Sequence, residues 1–210
     1  FAAHVDVLSE AGRSGSYAVL LPMRGTGSDL DGRTRREALV LQRLGGLGLP
    51  FRVPEAVGVV PDGGRLALVR RFLEGIPLDL RAGRVTGIRP WEEVGRLAVA
   101  IHAMDPTGWA DLLPGYPTRR VHGEAVLAVF DGLEGAEVVE ALAWAREHLP
   151  PEAPSVCLHG DLLGQNILLM PGREPAVIDW EFARLGDPAY DLAIVTRGVR
   201  RPFQVEGGLA

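Results

Sequence analysis

His159, Asp161 and Asn166 fall close together in "CLHGDLLGQNILL", between two apolar runs, Val156–Leu158 and Ile167–Leu169. Both runs read as short buried strands, so the polar residues occupy a tight connection. Asp179 ends a third apolar run, 176–178. Segments 167–170 and 176–178 are expected to pair as a hairpin with its turn at 171–175, which gathers Asp161, Asn166 and Asp179 at one end. Two acids and an amide there make an oxygen-rich site. Mg²⁺ takes hard oxygen ligands, commonly one or two carboxylates completed by water and phosphate, and Asn166 with Asp179 suits that. Asp161 is then left to orient a hydroxyl and accept its proton. These are the parts of phosphoryl transfer, in which positioning and charge neutralisation supply most of the catalysis. Each residue also has a plainer reading: Asp161 as the cap of a turn, His159 as a hydrogen-bonded core histidine.

The elements that must hold these residues can be read in outline. The chain of 210 residues suits one large domain or two lobes, and 47% hydrophobic with 23% charged residues is an ordinary soluble composition. A formal net charge of −5 without a basic block argues against a nucleic-acid partner. No apolar run approaches the roughly 18 residues of a membrane span. No membrane partner is therefore expected, and the cytoplasm is the expected location. The one cysteine, Cys157, lies in an apolar stretch and reads as core. The chain starts at Phe1 and stops at "VEGGLA", which reads as a C-terminal truncation.

"VDVLSEAGRSGSYAVLLP" reads as two strands around a Gly/Ser turn, and "DGRTRREALVLQRLGG" as a helix capped by Asp31. "FRVPEAVGVVPDGGRLALVRRFL" reads as two more strands around PDGG. "EGIPLDLRAGRVTGIRP", rich in Gly, Pro and Arg, marks a boundary. Beyond it, Trp91, Val94, Ala98 and Ile101 keep helical spacing, as do Val138, Leu142, Ala145 and Leu149. The expectation is an α+β fold with a strand-rich lobe over residues 1–74 and a helical lobe over 75–210, with a ligand cleft between them.

"HGDLLGQN" followed by "IDWEFARLGDPAYDLA" resembles the aminoglycoside phosphotransferase and choline kinase-like superfamily, the small-molecule relatives of protein kinases. The pattern H-G-D-x-x-x-x-N, I-D-[WF]-E, G-D-P-x-x-D-L-A is present in order over about 156–194. The resemblance implies a two-lobed, protein-kinase-like fold, with a small antiparallel-sheet lobe carrying one helix and a mainly helical C-terminal lobe. It implies a small-molecule kinase that uses ATP and Mg²⁺ to phosphorylate a hydroxyl acceptor, an aminoglycoside-type antibiotic or related metabolite. By position, Asp161 is the catalytic base and His159 braces its loop. Asn166 and Asp179 hold the metal, and Asp187 and Asp191 fix the loop and the following helix. Val69, Arg71 and Leu73 fall in the lobe connection whose backbone meets adenine, and Ser14, Gly15 and Ser16 in the phosphate-covering turn.

The pattern has one gap. All 22 basic residues other than His are Arg; there is no Lys for the strand position that contacts the phosphates and pairs with a helix Glu. That position is Leu20. Arg24 is the expected substitute and Glu37 the expected helix partner, each with a solvated-surface reading beside it. The missing Lys keeps a second function open, a pseudokinase that binds a nucleotide or metabolite without turnover.

Overall fold

The computed structural model describes residues 2–8, 14–21 and 30–197 of the chain. Strand β1 (Ala2–Leu8) pairs antiparallel with β2 (Ser14–Leu20) in the register Ala2↔Leu20 to Leu8↔Ser14. Helix α1 (Leu30–Gly45) follows, then the hairpin β3 (Ala56–Asp62) and β4 (Arg65–Arg71). The hairpin turns on Gly63 and Gly64, at φ +53° and +82°, the two positive φ values that a tight two-residue turn demands. The sheet order β1-β2-β4-β3 leaves β4 as an inner strand paired on both sides.

The α1 residues Thr34, Glu37, Ala38, Leu41 and Leu44 recur at helical spacing and are buried against this sheet. Asp31 is not the helix cap. It lies inside the first turn, where its carboxylate accepts the Leu66 backbone N–H of β4 at 2.9 Å and so ties helix to sheet.

After the sheet, β5 (Ile76–Pro77) pairs with β7 (Ile167–Leu169), and β7 pairs with β8 (Ala176–Val177). Between β5 and β7 lie α2 (Pro90–His102), α3 (Arg119–Ala128), α4 (Ala136–Glu147) and β6 (Val156–Leu158). After β8 come β9 (Arg184–Gly186), paired with β6, and α5 (Ala189–Arg197).

Helix α2 starts on Pro90, whose missing N–H costs nothing in a first turn, and buries Val94, Leu97, Ala98 and Ile101. Each such aliphatic side chain contributes roughly 1.5–3 kcal/mol by leaving water. The expected stripe on α4 exists, but Val138, Leu142 and Ala145 are only half-buried. Helix α3 falls in a stretch for which the pattern gave no element. Its start is set by Thr118, whose hydroxyl accepts the Val121 N–H.

One hydrophobic core runs through both parts. Leu41, Leu44, Phe51 and Leu68 on the sheet side join Leu97, Ile101, Cys157, Ile167, Val177 and Trp180. The backbone is stitched across as well, with Arg52 N–H donating to Pro175 O and Val177 N–H to Arg52 O. Cys157 is fully buried, and burial pushes its thiol up to about 12, so it is an inert core residue. Among the described residues no helix is long and apolar enough to cross a membrane.

Candidate active site

The register Ile167↔Val177 sets the end of the β7–β8 hairpin. One step out, Ile178 N–H donates to Asn166 O at 2.9 Å, so Asn166 and Asp179 leave the same end of the ladder. Asp161 joins them through Asn166, whose Nδ2 donates to Asp161 O at 2.9 Å and to Asp161 Oδ2 at 3.1 Å. Asn166 is 4% exposed. With its amide nitrogen pinned, its Oδ1 is the atom available to a cation. Asp179 has φ +71° and ψ +58°, a left-handed conformation that costs most non-glycine residues energy and is tolerated best by Asn and Asp. It stands where the strand gives way to a single 3₁₀ turn, Trp180–Phe182.

His159 is wholly buried and braced from every side. Its Nε2–H donates to Ile178 O at 3.0 Å and its Nδ1 accepts the Asp161 N–H at 3.2 Å, which selects the neutral Nε2–H tautomer. Burial lowers its pKa, so it holds the loop as a neutral ring. Asp191, also fully buried, accepts the His159 and Gly160 backbone N–H groups at 2.9 and 2.8 Å and the His102 Nε2–H at 3.0 Å. Asp187 caps α5 through the Ala189 N–H. Gly160 has φ +82°, and a Cβ there would lie 2.1 Å from Phe182 O, so only glycine lets the loop lie against the Asp179 turn.

Glu37 reaches the same place from α1. The charges of Asp179 and Glu181 bear on its carboxylate, and so does the Trp180 backbone N–H. Burial raises its carboxyl from the usual 4.5 to about 7, against the pull of Arg70. Burial likewise lowers Arg70, against the pull of Glu37 and Asp179. Both shifts favour the neutral form, so at a separation of 4.0 Å desolvation outweighs the attraction of the pair. The folded carboxyl binds its proton more tightly than the unfolded one. Its stabilising contribution is therefore complete below about pH 4.5 and lost as the pH rises through about 7. Glu37→Gln should flatten that part of the pH profile of the thermal midpoint and raise the midpoint above pH 7. A wild-type slope in the variant would assign the titration to another group.

Several expected site residues take other positions. Val69 and Arg71 lie within β4, where Val69 pairs with Val19 and Gly58, and Arg71 N–H donates to Glu55 O; their peptide groups serve the sheet. Leu73 does lie in the connection that follows β4 and packs against the Leu168–Met170–Ala176 cluster. Ser14, Gly15 and Ser16 are strand residues of β2 paired with β1, not an open turn, and the Ser16 hydroxyl donates to Asp6 at 2.6 Å. Arg24 lies outside the described residues.

The pattern missed Arg70, Glu181 and His102. Glu181 has a raised pKa, from burial first and then from Asp179, and it also feels Asp161. A cleft of about 430 Å³ beside it is lined by Arg33, Arg36, Tyr116, Glu181 and Arg184. Its signal was the Glu of "IDWEF"; His102 had none.

The fit of the site to a divalent cation rests on its donors. A free amide oxygen on Asn166 and a carboxylate on Asp179 are the open, hard-oxygen set that Mg²⁺ takes when phosphate and water complete its shell. Among the described residues no three His, Cys, Asp or Glu side chains form a closed cage.

A family model described as a phosphotransferase enzyme family matches residues 7–208. Homoserine kinase of Rhizobium meliloti (strain 1021) is 31% identical over 163 residues, 71% of this chain and 46% of that protein. Viomycin phosphotransferase of Streptomyces vinaceus is 28% identical over 181 residues, 74% of this chain and 59% of that protein. The chain thus spans about half the length of the curated relatives it matches. Among solved structures, a macrolide 2′-phosphotransferase of Brachybacterium faecium superposes with a TM-score of 0.62 at 23% identity, over 90% of this chain and 65% of that one. An aminoglycoside phosphotransferase of Streptomyces rimosus, solved with ADP and streptomycin, superposes with a TM-score of 0.61 at 19% identity, over 97% and 80%. These likenesses establish the kinase-like α+β fold.

Proposed function

We propose, since the chain belongs to the phosphotransferase enzyme family, that it moves the γ-phosphoryl group of ATP to a hydroxyl of a small molecule, an aminoglycoside-type antibiotic or related metabolite. The observation that carries the reading is the Asn166 amide bridging to Asp161 at the end of the hairpin that also delivers Asp179. Asp161 Oδ2 is held by Asn166, which fixes the carboxylate and leaves Oδ1 to accept the hydroxyl proton. The acceptor oxygen bonds to the γ-phosphorus as the bond to the β–γ bridging oxygen breaks, giving ADP and a phosphate ester; the proton passes through Asp161 to solvent. Asn166 and Asp179 would hold Mg²⁺, whose charge offsets that building on the phosphate oxygens. Residues 1–74 serve as the nucleotide lobe, 75–210 as the catalytic lobe, and the setting is the cytoplasm.

Thermal unfolding with ATP, with and without Mg²⁺, is the first test. A ligand at about 100 times its dissociation constant adds about 2.7 kcal/mol to a protein that binds it only when folded. A midpoint raised by ATP only when Mg²⁺ is present supports the reading; one indifferent to both overturns it. ADP release is then followed with homoserine, an aminoglycoside, viomycin and a macrolide in turn. Tight ATP–Mg²⁺ binding with no acceptor-dependent ADP release would favour the pseudokinase.

A further inference from the structure

We propose that Arg70 is the cation that contacts the nucleotide's phosphates, reaching them from β4 rather than from position 20 on β2. The proposal rests on the phosphotransferase reading above. It starts from the register. Arg70 lies opposite Ala18 on β2 and Ala56 on β3. Residues directly opposite in antiparallel strands project from the same face, and so do residues two apart on one strand. Arg70 therefore shares a face with Ala18, Leu20 and Leu68, and Leu68 and Leu20 place that face against the core. A methyl group on each flanking strand leaves room for one long side chain between them.

The second observation is hydrogen bonding. Arg70 is only 7% exposed, yet its buried Nη1 has no hydrogen-bond partner. The nearest carboxylate oxygen, Glu37 Oε1, stands 4.0 Å away and is itself buried without a partner. A pair kept only for the fold would close to the 2.7–2.9 Å of a charge-assisted hydrogen bond, because an unmade bond in a buried site is costly. Two open valences side by side are what a site keeps for a third group. Nη1 offers a donor that Glu37 does not take up, so the group that meets it is an acceptor. Asp179, the expected metal holder, is the next charge that Arg70 feels after Glu37. A phosphate chain laid between the Asp179 metal position and Arg70 satisfies both ends, and in a chain with no Lys it supplies the missing counter-charge.

The test compares ATP–Mg²⁺ with adenosine, which lacks phosphates, by calorimetry on the whole chain. Arg70→Met/Glu37→Met removes both members of the buried pair, a change such sites often tolerate. It should keep the wild-type affinity for adenosine and lose about tenfold to a hundredfold in affinity for ATP–Mg²⁺, the range of a charge-assisted hydrogen bond. Arg70→Lys keeps the charge on a different reach and geometry, and should show a smaller loss confined to ATP–Mg²⁺. It decides the matter by the same ratio if the double variant lacks a cooperative melt. Affinity for ATP–Mg²⁺ that is unchanged, or that falls in step with adenosine, overturns the assignment. A wild-type chain that binds neither ligand overturns the phosphotransferase reading as well, and that failure is visible before any variant is made.

Discussion

Asp161→Asn should reduce acceptor-dependent ADP release by about 10²–10⁴-fold, the usual contribution of a positioned general base, and leave affinity for ATP–Mg²⁺ within a few-fold of wild type. The substitution is nearly isosteric. An asparagine oxygen still accepts from the Asn166 Nδ2 that now meets Asp161 Oδ2 at 3.1 Å, and the backbone contact from Asn166 to the carbonyl of residue 161 is untouched. The loop therefore keeps its shape. What disappears is the capacity to take a proton, which matters only as the hydroxyl attacks. The loss should thus fall on turnover and not on nucleotide binding. Steady-state kinetics with calorimetric ATP binding separate the two. Glu181→Gln is the informative control, because Glu181 is a carboxylate that feels Asp161 and is not an expected metal holder. Turnover that survives Asp161→Asn and vanishes in Glu181→Gln would move the base to Glu181.

The gathering of Asp161, Asn166 and Asp179 was legible because its logic is local. His159, Asp161 and Asn166 are neighbours in sequence, and Asp179 needs only one short hairpin, 167–177, to reach them. Arg70 was not legible for the opposite reason. Nothing in "LVRRFL" distinguishes Arg70 from Arg71; the difference is that Arg70 lies inward between Ala18 and Ala56 while Arg71 is exposed beside Tyr17. That difference depends on strand register across segments far apart in the chain. Ser14, Gly15 and Ser16 misled for a related reason. Small residues suit a phosphate turn and a hairpin strand equally, and only the pairing with β1 separates the two. Asp31 is the same kind of case, since a helix-start acid whose partner is a strand N–H looks like a cap until the sheet is in place.

Asp191→Ala should cost about 3–5 kcal/mol of stability, an amount that lowers the thermal midpoint of a chain of this size by about 6–20 °C. The argument is one of counting donors. Asp191 is fully buried and its two oxygens take three of them: the backbone N–H of His159, the backbone N–H of Gly160 and the ring N–H of His102. Alanine leaves all three unmet, and an unmet buried donor costs about 1–3 kcal/mol. Asp187 makes the contrast. Its carboxylate caps α5 through one exposed N–H, so Asp187→Ala should cost about 1 kcal/mol. The same count predicts where the damage goes. His159 and Gly160 immediately precede Asp161, so an Asp191→Ala chain that still folds should lose turnover through a loosened loop, with faster amide exchange at His159 and Gly160 than at the core residue Val177. An activity loss with unchanged exchange at those two amides would mean that Asp191 acts on the reaction by some route other than holding this loop.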